Sequence, residues 1–322
     1  MKDNFVNLHL HSLYSIQDSV IKIPDLFETI KQYGQKAVAI TDHGTVEGWS
    51  DFFLTSQSYD IKPIFGCEFY CKETYMKPSN TNRYHLVILA KNDNGLKTIN
   101  KMQFESSIKH FYYRPLLPYP FLFENANDNI FISTACALGT VGQSLNEENK
   151  NQHFEDAENF LNQLLDTFGR DNIALEFQFH PTWESNKIPD YYPQNDINEK
   201  MLDLWDMFDL KYCIATTDAH FINNPDVRKE LLADAWCKQI DDIEDSLKSN
   251  CVGTSTIVKE LAIESGFSDL KLVDTMINNT SIIADQCNVT TVNNIGGKRI
   301  IPKFTKHNEF KKIFCKKPKK VI

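Results

Sequence analysis

Apolar residues in this chain gather into seven short runs separated by polar stretches with helical spacing. The runs are Phe5–His11, Lys36–His43, Lys62–Tyr70, Tyr84–Lys91, Asn129–Cys136, Asn172–His180 and Lys211–His220. Each reads as a buried strand, a nearly continuous apolar segment bounded by turn or polar residues. Between them, Pro24–Tyr33, Gly44–Tyr59, Asn94–Ser107, Phe154–Phe168 and Asn195–Phe208 carry a helical period. Pro24 opens the first of these and Gly34 follows it, the usual asymmetry of helix ends. Strands alternating with helices predict parallel pairing through right-handed crossovers. Seven such units predict an α/β barrel related to the (β/α)₈ type. After Asn224 the strands stop, and Val227–Gln239, Thr256–Glu264 and Leu270–Cys287 read as helices. The expected organisation is a barrel over 1–223, a helical appendage over 224–304 and a basic tail over 305–322.

The length, 322 residues, fits a barrel with an appendage. Hydrophobic residues at 42% and charged residues at 24% exclude a disordered or collagen-like chain. No apolar run approaches the roughly 18–20 residues that span a bilayer. The start, Met1-Lys2-Asp3-Asn4, is not a signal peptide. These features predict a soluble cytoplasmic protein with no membrane contact. The net charge of −9 is uneven: from Lys298 to Ile322 there are ten Lys/Arg and one acid, Glu309. The acidic remainder argues against broad electrostatic wrapping of duplex nucleic acid. It suits a body that concentrates carboxylates around cations. The basic end is either a contact for nucleic acid or a partner, or a solvated terminus. None of the eight cysteines form a CxxC pair, so a zinc finger is not expected. Cys67 and Cys71 share a strand face, and most of the set reads as small buried hydrophobes.

Candidate chemistry collects at the strand ends. His9 and His11 form an H-x-H pair closing the first run, and residues two apart on a strand face one side. Asp18 follows in the next loop. Asp42 and His43 end the second run, Glu68 lies in the third, and Cys136 ends the fifth. Asp218 and His220 form a D-x-H pair at the end of the seventh. In a parallel barrel these ends converge on one mouth. His85 fits less well, because it opens its strand. His180 closes the sixth run, with Glu176 four residues before it. Asp42 reads as a residue that orients His43 through a ring N–H. His110, His153 and His307 lack such company and read as surface residues. Imidazoles and carboxylates with at most one thiolate suit Zn²⁺, Mn²⁺ or Fe²⁺. His9, His11, Asp18, His43, Glu68, His85, Cys136, Asp218 and His220 are too many ligands for one ion. They predict two or three divalent ions, with Glu68 bridging, and hydrolytic phosphoryl chemistry.

These residues, in this order, resemble the PHP (polymerase and histidinol phosphatase) family. The motifs are Leu8-His9-Leu10-His11-Ser12, Asp18, Ile40-Thr41-Asp42-His43-Gly44, Gly66-Cys67-Glu68, His85-Leu86-Val87 and Thr217-Asp218-Ala219-His220-Phe221. The match is closer to one branch and looks like the N-terminal PHP domain of bacterial DNA polymerase III alpha subunits. Phe111-Tyr112-Tyr113-Arg114-Pro115, Ser133-Thr134-Ala135-Cys136 and Ile301-Pro302-Lys303-Phe304 resemble runs of that branch. The resemblance implies a distorted (β/α)₇ barrel and three ions. His9, His11, Glu68 and Asp218 would hold one. Glu68, His85 and Cys136 would hold the second, and Asp18, His43 and His220 the third. His9, His11, Glu68, Asp218 and His220 would be catalytic. His180 would stay outside the ligand set, and Arg83 and Arg114 are candidate phosphate contacts.

The chain stops where the polymerase palm should begin, so polymerase activity is not expected of it. It reads as a truncated piece, one part of a split polymerase, or a free-standing derivative. The expected function is a metal-dependent phosphoesterase, a proofreading-type 3′–5′ exonuclease acting on single-stranded DNA 3′ ends. Phe111, Tyr112 and Tyr113 are candidates to stack on bases or to fill the core. A separate polymerase core or other replication proteins are the expected partners. The alternatives are a small-molecule phosphatase or pyrophosphatase, and a silent metal-binding scaffold.

Overall fold

A computed structural model of the chain describes residues 3–73, 83–146, 154–181, 194–240 and 248–290. Its strands are β1 (Ala37–Ile40), β2 (Lys62–Lys72), β3 (Tyr84–Ala90), β4 (Phe111–Tyr112), β5 (Arg114–Pro118), β6 (Ile130–Ser133), β7 (Ile173–Gln178) and β8 (Tyr212–Thr216). The sheet runs β4-β5-β2-β3-β6-β7-β8, with β1 also on β2. β2 is long enough to serve two neighbours on one side. Its first half pairs parallel to β1, and its last residues pair parallel to β5.

The first apolar run, Phe5–His11, forms a single bridge rather than a full strand, Leu10 to Ala219. It still joins β1 to the segment that follows β8. Ala39 N donates to Asn7 O, Thr41 N to Leu10 O, and His11 N to Ala219 O, at 2.8–2.9 Å. Between the two neighbours, sparse backbone bonding is completed by side chains: Leu10 N donates to Thr41 Oγ1 and Val6 N to Thr280 Oγ1.

Parallel pairing holds for β1–β2, β6–β7 and β7–β8, but β3 runs antiparallel to both β2 and β6. Apolar content alone does not encode strand direction, since a doubly covered strand is a continuous apolar run either way. The reversal accounts for His85. As the second residue of β3, it sits at the end of the sheet where the other strands finish, opposite Tyr70 of β2.

The helices are α1 (Ile23–Gln32), α2 (Trp49–Ser56), α3 (Asp93–Phe104), α4 (Tyr119–Glu124), α5 (Thr140–Leu145), α6 (Phe154–Phe168), α7 (Gln194–Phe208), α8 (Pro225–Ala235), α9 (Ser255–Glu264) and α10 (Leu270–Gln286). α6 buries Ala157, Phe160, Leu161, Leu164 and Phe168, the spacing that predicts it. The helix expected from Gly44 begins only at Trp49, because Gly44 adopts a left-handed φ of +58°. The β4–β5 hairpin, α4 and α5 are too short and too proline- or glycine-rich to leave a period. α9 and α10 are closely tied to the barrel wall. Asn279 Nδ2 donates to Cys213 O at 2.8 Å, and Gly253 N to Asn7 Oδ1 at 2.8 Å. Cys67 and Cys71 are both fully buried in β2, as small hydrophobes. Among the described residues, no helix is long and apolar enough to cross a membrane. The 291–322 segment, with the basic tail and Ile301–Phe304, lies outside the described residues.

α3 starts under a tight constraint. Asn92 caps it through Asn94 N and Gly95 N, and a Cβ on Gly95 would lie 2.0 Å from Asn129 O. Alanine ordinarily gains about 1 kcal/mol over glycine in a helix. Here the clash should reverse the sign, and Gly95→Ala should destabilise the fold by about 1–3 kcal/mol. A lowered midpoint of urea unfolding checks this; a raised midpoint would show that α3 is free to shift.

Candidate metal centre

The sheet brings eight of the nine predicted ligands into one chain of close approaches around Glu68, and Cys136 completes it. Glu68 Oε1 lies 3.3 Å from His9 Nε2 and 2.9 Å from His85 Nδ1. Its Oε2 lies 3.4 Å from His11 Nε2 and 2.5 Å from His43 Nδ1. Asp218 Oδ1 is 3.1 Å from His9 Nε2 and 3.0 Å from His11 Nε2. Asp18 Oδ2 approaches His43 Nε2 at 2.9 Å and His220 Nε2 at 3.3 Å. Cys136 Sγ is 3.4 Å from His85 Nδ1. His11 is the hub of the imidazoles, stacked on His43 and His220 with centroids 4.1 and 4.3 Å apart.

Backbone conformation serves this convergence. Asp218 has a φ of +47° and Ala135, just before Cys136, one of +61°. Such values are uncommon outside glycine and concentrate where function holds a residue in place.

The donor set fits divalent cations. Buried polar atoms nearly always find hydrogen-bond partners. Among the described residues, the exceptions are His9 Nε2, His11 Nε2, His43 Nδ1, both Glu68 oxygens, Asp218 Oδ1, His220 Nε2 and Ser265 Oγ. All but the last point into the cluster. Three triads each bring one ligand atom per residue within 4.8 Å of the others: His9–His11–Asp218, His43–Glu68–His85 and His11–His43–His220. The second has His43 where the family pattern has Cys136.

Burial alone would discharge these groups, and their neighbours decide the outcome. Burial opposes charge on His9, but Asp218, Glu176 and Glu68 outweigh it and raise its pKa. His43 is likewise raised against burial, chiefly by Glu68. Burial lowers that of His11, and the neighbouring His43 and His220 lower it further. Burial would raise Glu68, Asp218 and Asp18, yet the surrounding imidazoles hold all three below the usual carboxylate range.

A supporting layer fixes these ligands. Asp42 does not hold the His43 ring, as its adjacency suggests. Its carboxylate accepts from Ser12 N, Ser12 Oγ and Ser15 Oγ at 2.6–2.8 Å. Ser15 Oγ in turn meets His11 Nδ1 at 3.1 Å and accepts from His43 N. His180 is bonded to Ser249 Oγ and Gln178 Oε1, with burial pulling its pKa down to about 4. His110 is half-buried between Lys72 and Glu105 rather than on the surface. His153 and His307 lie outside the described residues.

Two supporting residues have roles that sequence reading does not assign. Glu176 is fully buried and accepts from Ser133 Oγ, Thr216 Oγ1 and Gln178 Nε2, with His9 Nδ1 at 2.6 Å. The signal was a charged residue inside an apolar strand, which cannot be buried without partners. Arg228 of α8 donates to the Asp18 carboxylate and carbonyl and to Asn250 Oδ1. Glu176→Ala should weaken metal binding about 10–100-fold by freeing the His9 ring. Titration with Mn²⁺ or Zn²⁺, with unchanged circular dichroism, checks this; native affinity in the variant would show that His9 is held without Glu176.

An open cleft of about 690 Å³ leads outward from the cluster, bounded by Asp18, His43, Phe111, Tyr113, Arg114 and Trp236 among others. Arg114 is fixed there by a hydrogen bond to the Tyr70 hydroxyl and by lying over its ring, 4.8 Å from the centroid. Arg83 precedes β3 and does not line this cleft; its carbonyl accepts from Gln143.

The sequence profile of the PHP domain matches residues 7–180. The chain belongs to the PHP family. Asp218 and His220 lie beyond the matched stretch and enter the cluster through the Leu10–Ala219 bridge. Within the family, the chain is 35% identical over 238 residues to the DNA polymerase III alpha subunit of Aquifex aeolicus (strain VF5), covering 70% of this chain and 19% of that protein. It is 30% identical over 302 residues to that of Helicobacter pylori (strain J99 / ATCC 700824), covering 89% and 23%. The chain thus spans about a fifth of the length of these relatives.

Proposed function

We propose that this protein is a metal-dependent phosphoesterase that removes nucleotides from the 3′ ends of single-stranded DNA, in the setting of replication. The observation that supports it most is the inward convergence of seven buried, unpartnered donor atoms from His9, His11, His43, Glu68, Asp218 and His220. In this reading His9, His11, Glu68 and Asp218 hold one ion. Glu68 and His85 hold a second, with Cys136 or His43 completing it, and Asp18 and His220 contribute to a third. Divalent ions so held supply Lewis acidity and an activated water for attack on phosphorus.

The chain's own contribution is positioning. Glu176 orients His9, Ser15 orients His11, and Arg228 anchors Asp18. Arg114, already immobilised on Tyr70, offers charge to a phosphate in the cleft. The homology to polymerase alpha subunits supports a nucleic-acid substrate over a free phosphomonoester.

The test is release of nucleotides from a 3′-labelled single-stranded oligonucleotide with Mn²⁺ or Zn²⁺. Metal-dependent release is expected. No release from a protein with two or three bound ions would overturn the nucleolytic reading, and turnover of pyrophosphate or a phosphomonoester would replace it.

A further inference from the structure

Exposed apolar side chains scattered singly are ordinary, but exposed aromatics gathered along one cleft mark a binding surface. Among the described residues five large aromatics are exposed: Phe104, Phe111, Tyr112, Tyr113 and Trp236. Three of these, Phe111, Tyr113 and Trp236, line the cleft that also reaches Asp18 and His43. The concentration is not explained by holding ions or by packing the core.

Tyr113 is the most unusual of them. It is the single residue between β4 and β5, at the tip of a hairpin closed by Phe111–Pro115 and Tyr112–Arg114 pairing. Its φ is +58° and its side chain is 77% exposed. Glycine or asparagine would fit that backbone better, and nothing in the core gains from tyrosine there. Tyr112 braces its ring edge-on, with centroids 4.7 Å apart. On α8, Arg228 is bonded to Asp18 while Trp236 caps the other end of the helix. The helix that anchors a candidate ligand therefore also places an exposed indole at the cleft.

We infer that Tyr113 and Trp236 are base-stacking residues that hold the terminal nucleobase of a single strand in the cleft beside the metal centre. This rests on the nucleolytic reading and names how its substrate is gripped. Stacking suits a chain whose net charge is −9, because it holds a strand without a row of phosphate contacts. It is also indifferent to base identity, as every base offers a π-face.

The test is binding, measured by the anisotropy of a 5′-fluorescein oligothymidylate on the full chain. Trp236→Ala and Tyr113→Gly should each weaken binding about tenfold. Trp236→Phe should recover most of the loss. Glycine relieves the backbone at position 113, so Tyr113→Gly should keep or raise the melting temperature, separating lost affinity from misfolding. The loss should vanish on an oligonucleotide whose 3′-terminal nucleotide is abasic. Equal losses on the normal and abasic strands, native affinity in both variants, or no binding by the native chain would each overturn the clamp. Binding that depends on both rings without nucleotide release would instead overturn the nucleolytic reading alone.

Discussion

Stripping divalent ions from this protein should lower its melting temperature by about 10 °C or more. Each site saturated at about a thousand times its dissociation constant stabilises the fold by about 4 kcal/mol, and a chain of this size loses roughly 1.5 °C per kcal/mol, so two or three sites give the expected shift. The expectation comes from the atoms aimed at one another. The two Glu68 oxygens, Asp218 Oδ1 and four imidazole nitrogens are buried without hydrogen-bond partners. Without cations, imidazolium–carboxylate pairs such as His9 with Glu68 and Asp218 recover part of the loss, which keeps the fold intact rather than unfolded. Calorimetry with and without chelator, followed by restoration with Mn²⁺ or Zn²⁺, measures the effect. An unchanged transition would mean that the cluster is held by proton sharing and not by ions.

Asp218→Asn should reduce nucleotide release by several kcal/mol of transition-state stabilisation, on the order of 10³-fold. Its Oδ1 is shared between His9 Nε2 and His11 Nε2 at 3.1 and 3.0 Å, so this carboxylate completes the charge that two neutral rings cannot supply. The substitution is a sharp probe because asparagine tolerates the left-handed backbone that Asp218 adopts, with φ of +47°. Shape and fold remain while the negative charge goes. Steady-state release and bound-metal analysis should fall together. Full activity in the variant would place the reaction elsewhere in the cleft.

Much of the site was legible because its residues interrupt apolar strands at their ends, where a polar residue has no packing role. His9, His11, Asp218 and His220 declare themselves by spacing of two, the strand period. His85 was legible as a residue type but not by position, since strand direction leaves no mark on a doubly buried run. Glu176 was present in the pattern but without an assignable partner, because His9 lies 167 residues away in sequence. Arg228 reads as an ordinary helix charge until Asp18, 210 residues distant, is brought to it. Tyr113 was legible only as one of three neighbouring aromatics that could stack on bases or fill the core. Its distinction is a torsion angle at a one-residue turn, and the run that contains it is equally good as core.

The N-terminal run has a consequence for how the molecule is made. Its neighbours are synthesised at very different times. Ala39 follows soon after, whereas Ala219, Gly253 and Thr280 come much later; Val6 and Thr280 are 274 residues apart. Contacts of such separation slow folding, because the loop must close before they stabilise anything. Until then the nascent chain exposes one edge of β1, with His9 and His11 facing an unfinished cavity. Ribosome-bound intermediates are therefore short of Asp218 and His220, and the capacity to retain a cation arises only when the last wall is in place. On the proposed reading, loading with metal would record that the polypeptide has closed on itself.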